Sequence, residues 1–296
     1  MSRDISPATG KPYGVERVCA VTGIPRSSYY ERGHRMEHPQ PPGKRGPKPK
    51  VSDVELLEWI RLDLKESPFT GEGHRKVWAR LKLGRGIRAS RKRVLRLMRE
   101  NNLLSPHRVR QGQPNEHEGA IVTQEPNVLW GADGAKVLTV EDGYVWVFVA
   151  VEHWNAECMG THVCKKGDRI AALEPVSQGV LAQFGSVKHD CARGLSLRTD
   201  HGSQYTSDHF QNQIKAWGIA PSYSFVQEPQ TNGVAERFIR TLKEQAIYRR
   251  TLRTLDEVRK AVAQFVDDYN RHWRIEKNGY LTPHEMRQRH AGKKAA

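Results

Sequence analysis

The sequence predicts an α/β protein: a mixed five-stranded sheet flanked by helices, preceded by helical segments. Two observations lead there. Apolar residues recur at helical spacing after residue 53, and past residue 124 that pattern gives way to β-rich runs. Beyond that change, three strand-like runs follow one another, and then strands alternate with helices, the order of a mixed sheet covered by helices.

Residues 1–37 contain GVERVCAVTGIPRSSYYE, which reads as a helix, a turn and a second helix. Val15, Val18 and Cys19 share a face, Gly23 breaks the first helix, Ile24 is expected to plug the turn, and Arg26, Ser27 and Ser28 open the second. This has the shape of a partial helix-turn-helix, and equally of an ordinary helical hairpin. Residues 38–52, HPQPPGKRGPKPKVS, are a linker stiffened by proline and extended by charge.

Residues 53–108 form a helical segment. Val54, Leu57 and Leu64, with Leu56 and Ile60, make one apolar stripe; Val77, Trp78 and Leu81 make a second. Ser90 caps RKRVLRLMRE, whose Val94, Leu97 and Met98 face inward. Its other face shows Arg91, Lys92, Arg93, Arg96 and Arg99, suited to phosphates or simply to water.

Residues 109–124 are polar and turn-rich, a second linker. In the segment 125–250, VLWGADGAKVLTV is the first strand and Asp142-Gly143 a hairpin turn. YVWVFVAVEHW is a central strand, CMGTHVC a third, Leu195 to Asp200 a fourth and IAPSYSF a fifth. Helices are expected at 168–184 and 207–217, and NGVAERFIRTLKEQAIYRR makes one long helix. Residues 251–296 read as a C-terminal helical tail.

The net charge of +15 is unevenly spread. Residues 1–111 hold 25 Lys/Arg against 11 Asp/Glu, residues 112–235 hold 8 against 14, and residues 236–296 hold 15 against 8. Basic ends suit a polyanion such as nucleic acid, while the acidic middle suits a segment that holds cations. No run approaches the ~20 apolar residues of a membrane span. Cys19, Cys158, Cys164 and Cys191 show no zinc-ligand spacing. A cytoplasmic protein with free thiols and no membrane partner is expected.

Three acids stand where ligands would. Asp133 interrupts the first strand, Asp200 ends the fourth, and Glu236 lies in the first turn of the long helix. Taken singly, they also suit a hairpin-edge acid, a turn former and a charge favourable at a helix N-terminus. Taken together, three hard oxygen donors suit Mg²⁺ or Mn²⁺, and two such ions can serve an in-line phosphoryl transfer. In SLRTDHGSQYTS, Gly202 is expected to let the backbone turn away, and His201 and Gln204 to lie within reach of a substrate.

Thirty-five residues separate Asp200 from Glu236, and Lys243 follows seven beyond Glu236. With TDHGSQYTSDHF and NGVAERFIRTLK, this resembles the Asp, Asp, 35-residue gap, Glu signature of retroviral integrases and bacterial insertion-sequence transposases. The likeness is to the second-frame (OrfB) transposase of the insertion-sequence-three family. FTGEGHRKVWARLKLGRGIRASRKRVLRLMRENNLLSPHR resembles its helical DNA-binding segment, and YNRHWRIEKNGYLTPHEMRQRH its C-terminal end. Glu152 departs from it, standing where the family usually has Asp.

The resemblance implies a ribonuclease-H-like core with Asp133, Asp200 and Glu236 as catalytic metal ligands for two Mg²⁺ or Mn²⁺ ions. It implies a polynucleotidyl transferase that cleaves and joins at transposon ends without a covalent protein–DNA intermediate. Arg240 and Lys243 join the basic residues already named as expected DNA contacts. The implied partners are element-end and target DNA, further copies of the chain on DNA, and a first-frame (OrfA) protein met separately or as a fusion. The implied location is the bacterial nucleoid. Rival readings are a nuclease that cuts without joining and a catalytically dead DNA-binding regulator.

Overall fold

The computed structural model describes residues 2–38, 50–106, 123–223 and 232–295. Most of the two expected linkers lies outside the described residues. The chain divides into two compact units, Met1–Pro49 and Lys50–Ala296.

In the first unit, α1 (Val15–Thr22) and α2 (Arg26–Glu37) are joined through Gly23, whose φ of 69° is left-handed. Cys19 is the one buried apolar residue of the pair. Ile24 does not plug the turn; it is 43% exposed. Two helices this short have too little facing surface to cover it.

The second unit opens with three helices, α3 (Asp53–Glu66), α4 (His74–Gly84) and α5 (Arg91–Glu100). Ser52 and Ser90 cap α3 and α5 by accepting from the amides of Glu55 and Arg93. Leu56, Ile60, Val77, Leu81, Val94, Leu97 and Met98 form their core. Val54, expected in the stripe, is 72% exposed, because the buried face of α3 centres on Leu56 and Ile60. Beneath this core Arg80 bridges two buried acids, Asp63 at 2.8 Å and Glu72 at 2.5 Å.

The sheet begins as a meander: β1 (Leu129–Thr139), β2 (Gly143–Glu152) and β3 (Cys158–Cys164), all antiparallel. The Asp142-Gly143 turn closes the first hairpin, with Gly143 at φ 66°. After α6 (Arg169–Phe184), β4 (Ser196–Thr199) pairs parallel to β1. Two further helices, α7 (Ser203–Thr206) and α8 (Asp208–Ala216), lead to β5 (Ala220–Tyr223), parallel to β4. The order β3-β2-β1-β4-β5 is the mixed five-stranded sheet flanked by helices that the sequence predicts.

Strand alternation divides two cores. Trp130, Ala132, Phe148 and Leu197 face α6 and α8. Ala135, Val137, Val145, Val147 and Val149 face α9 (Gly233–Leu242) and α10 (Leu255–His272). Val258, Val262, Phe265 and Tyr269 of α10 lie in this same core, so α10 covers the sheet as α9 does. Phe69, just before α4, packs edge-on to Phe265 and Trp273. With the Arg75–Glu276 ion pair at 2.8 Å, this docks α3–α5 against the C-terminal segment. The chain ends in α11 (Pro283–Ala295).

The long helix expected over 232–250 is interrupted. After Leu242 it widens into a π-turn, Lys243–Ile247, closed by the Tyr248 amide donating to the Lys243 carbonyl at 2.8 Å. The wider turn lets Leu242, Ala246 and Ile247 all reach the core.

Candidate active site

Strand parity aims the first two acids. On β1, Ala135 and Val137 face α9, so Asp133, two residues earlier, points the same way. Along β4 and the residues that flank it, Leu195 and Leu197 face the opposite core, which sends Arg198 and Asp200 toward α9. The parallel register pairs Gly131 with Arg198. Asp133 lies inside β1, two residues beyond that pair, and Asp200 one residue past the end of β4, so two adjacent strands carry them toward one another. Glu236 stands over them in the first turn of α9.

The electrostatics agree with this placement. Burial raises the Asp133 carboxyl to about 6, and the charges of Asp200 and Glu236 push the same way. The Gly134 amide, donating to Asp133 Oδ1 at 2.7 Å, and the Lys243 ammonium oppose the rise. Glu236 is also raised, first by burial and then by Asp200. Asp200 Oδ1 accepts from the Gly202 amide at 2.9 Å. Asp133 and Asp200 thus each have one oxygen held by a nearby backbone amide and, among the described residues, one left over. Among the described residues, no three His, Cys, Asp or Glu side chains are gathered tightly enough to form an ion cage by themselves. The donor set is nonetheless hard oxygen throughout, which fits Mg²⁺ or Mn²⁺.

A groove of about 610 Å³ runs from Asp133 and Glu236 along α9, lined also by Lys136, Trp146, Arg240 and Lys243. Lys243 lies at its far side, while Arg240 pairs with Glu244 at 3.1 Å.

Gly202 serves differently from the expectation. Its φ of −58° is open to any residue. A Cβ there would instead meet Gln204 Nε2 at 2.5 Å and Asp200 Oδ1 at 2.9 Å, so the glycine makes room for these side chains. His201 is exposed and Gln204 half-buried.

The basic face of α5 needs correction. Arg93 donates to Asp53 at 2.6 Å and to the Val51 carbonyl at 2.7 Å, with its side chain only 15% exposed. Arg96 is bound to Asp53 and Glu100. Together the two arginines hold the Asp53 carboxyl below its usual range. Arg91, Lys92 and Arg99 remain exposed.

One buried group beneath the acids escaped the sequence reading, and one that the sequence singled out serves elsewhere. Tyr205 is fully buried in the core beneath the acids, and burial raises its phenol, with Asp133 and Asp200 adding to the rise. Glu152 is fully buried away from the acids and accepts from the Asn127 amide, the Trp130 indole and the Trp154 amide. Its longer side chain anchors the end of β2.

Residues 123–229 and 217–283 match two models of the integrase core domain, and residues 71–111 match an HTH-like domain. The transposase for insertion sequence element IS629 of Shigella sonnei is 27% identical over 288 residues, 92% of this chain and 91% of that protein. Transposase InsD for insertion element IS2D of Escherichia coli (strain K12) is 27% identical over 246 residues, 81% of this chain and 80% of that protein. Among solved structures, the catalytic core domain of BIV integrase is 23% identical at a TM-score of 0.40, covering 57% of this chain and 99% of that one. The HTLV-2 integrase catalytic core domain in complex with magnesium is 17% identical at a TM-score of 0.42, covering 55% and 98%.

Proposed function

We propose that this chain, which belongs to the integrase-core transposases of insertion sequences, cuts DNA at element ends and joins the freed strand to new DNA. The observation that carries the reading is the convergence of Asp133 from inside one strand, Asp200 from just past the end of its neighbour and Glu236 from a helix start. In this reading Asp133, Asp200 and Glu236 hold two Mg²⁺ or Mn²⁺ ions. When bound, such ions lower the pKa of an attacking water or 3′-hydroxyl and neutralise charge on the leaving oxygen.

The chain's own residues supply position. The two adjacent strands fix Asp133 and Asp200 on one face, and α9 carries Glu236 above them. Lys243, farther along the same groove, receives a phosphate next to the scissile one. Arg91, Lys92 and Arg99 give α5 an exposed basic edge for flanking DNA. Several copies of the chain assemble on the two element ends, with or without a first-frame partner.

The test is incubation of labelled element-end DNA with the full chain, with and without Mg²⁺. Metal-dependent nicks followed by joined products are expected. Nicks without joined products would favour the nuclease, and end binding without nicks the regulator.

A further inference from the structure

We propose that Asn232 is a positioning residue: it fastens the start of α9 to the strand that carries Asp133, and so sets where Glu236 stands over that acid. The inference rests on the reading of the three acids as the metal site.

Asn232 immediately precedes α9 and is 2% exposed. Asparagine is among the favoured residues for capping a helix start from this position. Here it caps nothing. Its Nδ2 instead donates across to the Ala132 carbonyl at 3.0 Å, the residue next to Asp133. One hydrogen bond thus ties the segment entering the Glu236 helix to the main chain of the Asp133 strand.

The sheet is shaped to receive this amide. A Cβ on Gly131 would meet Asn232 Oδ1 at 2.5 Å, with His153 Nε2 at 3.2 Å and the Ala235 methyl at 3.3 Å. Any larger residue at 131 would displace the Asn232 side chain. The fit is not explained by polar satisfaction. Asn232 Oδ1 and both His153 nitrogens are buried without a hydrogen-bond partner among the described residues. An apolar side chain of the same size would avoid that unsatisfied oxygen. What it could not do is hold the Ala132 carbonyl. Glu236 rides on α9 one helical turn on, so its place depends on how that helix is seated.

The experiment uses the full chain and two variants. Asn232→Leu keeps the size and removes the donor; Gly131→Ala displaces the amide from the other side. Mn²⁺ binding is followed by calorimetry, end-DNA nicking gives kcat and KM, and thermal unfolding reports stability. For Asn232→Leu the unfolding midpoint should hold, Mn²⁺ affinity should fall at least tenfold, and kcat should fall with KM for DNA unchanged. Gly131→Ala should do the same, and the double variant should be no more impaired than either, as for two changes to one interaction. Wild-type Mn²⁺ affinity and kcat in both single variants would overturn the tether. A wild-type chain that binds Mn²⁺ but neither nicks nor joins would overturn the transposase reading alone; the fall in affinity in Asn232→Leu would still support the tether. No Mn²⁺ binding by the wild-type chain would overturn both.

Discussion

Helices α5 and α9 look alike as text: each is short, amphipathic and rich in arginine. In the structure they differ in what their charges meet. On α5, Arg93 and Arg96 close onto Asp53, which comes from the start of α3, forty residues earlier. On α9, Glu236 stands near two further acids, whose charges oppose its own. The lesson is that charge marks a working surface only where the fold leaves it uncompensated. Like charges held together signal function more sharply than a basic stripe does.

The largest expected effect separates the two kinds of charge. Asp133→Asn, Asp200→Asn or Glu236→Gln should abolish nicking and joining by several orders of magnitude while end binding survives. Gel-shift and nicking assays on the same preparations check this; near-normal nicking by any of the three would remove that acid from the site.

In the α3–α5 segment a charge change should strike stability instead. Arg80→Ala leaves Asp63 and Glu72 buried without their cation, and should cost about 3–5 kcal/mol of folding free energy. Denaturant titration reads it. A change under about 1 kcal/mol would mean that water replaces the guanidinium.

Next is a pH effect at the junction between that segment and the C-terminal one. Burial lowers the Lys76 ammonium to about 7, against the opposing pull of Glu72, while its Nζ sits over the Trp273 ring. The folded pKa lies below the unfolded one, so between pH 7 and about 10 the unfolded chain binds the extra proton. This contribution to stability therefore rises with pH across that window. Lys76→Met should flatten it, and identical pH profiles for the two proteins would show that Trp273 and Glu72 keep the ammonium charged.

DNA binding gives a smaller, graded effect. Replacing Arg91, Lys92 and Arg99 by Ala should reduce the log–log salt slope by about 0.9 for each phosphate no longer neutralised. Arg93→Ala should leave the slope unchanged and lower stability, since its guanidinium serves Asp53 and Val51. A slope change from Arg93→Ala would return that residue to the DNA face. The smallest effect is expected at Lys243. Lys243→Ala should weaken end engagement with the acids intact, Lys243→Arg should retain it, and crosslinking from position 243 to end DNA checks the placement.

Much of the sheet was legible because its signals are local. The Asp142-Gly143 turn and the nearly continuous apolar run of β2 define a hairpin without outside help, and CMGTHVC spans β3 in full. Asp133 stood out because a carboxylate inside an apolar strand is costly unless it has a task, and Asp200 and Glu236 by their 35-residue spacing. What the sequence hid depends on distant partners. Nothing in RKRVLRLMRE says that Asp53 will cover Arg93, or that Gly202 gives way to the Asp200 and Gln204 side chains. The π-turn at Lys243–Ile247 answers to a core shared with the strands and α10, which helical periodicity alone does not contain. In the sequence Asn232 is only the first residue of the expected long helix, because its partner carbonyl lies a hundred residues away.

The order of the strands also bears on how the protein is made. The β1–β2–β3 meander joins residues close in the chain, so its pairing is the kind that forms early. The β1–β4 pairing is parallel and spans the whole of α6, so loop closure must come before any reward from pairing. Asp133 belongs to the early part, while Asp200 and Glu236 arrive only with the late one. If the three acids are the cutting site, as proposed, a chain still emerging or half-folded would carry one of them and could not cut DNA. Cleavage would then wait on completion of the sheet, and the DNA around the protein would be shielded from its unfinished forms.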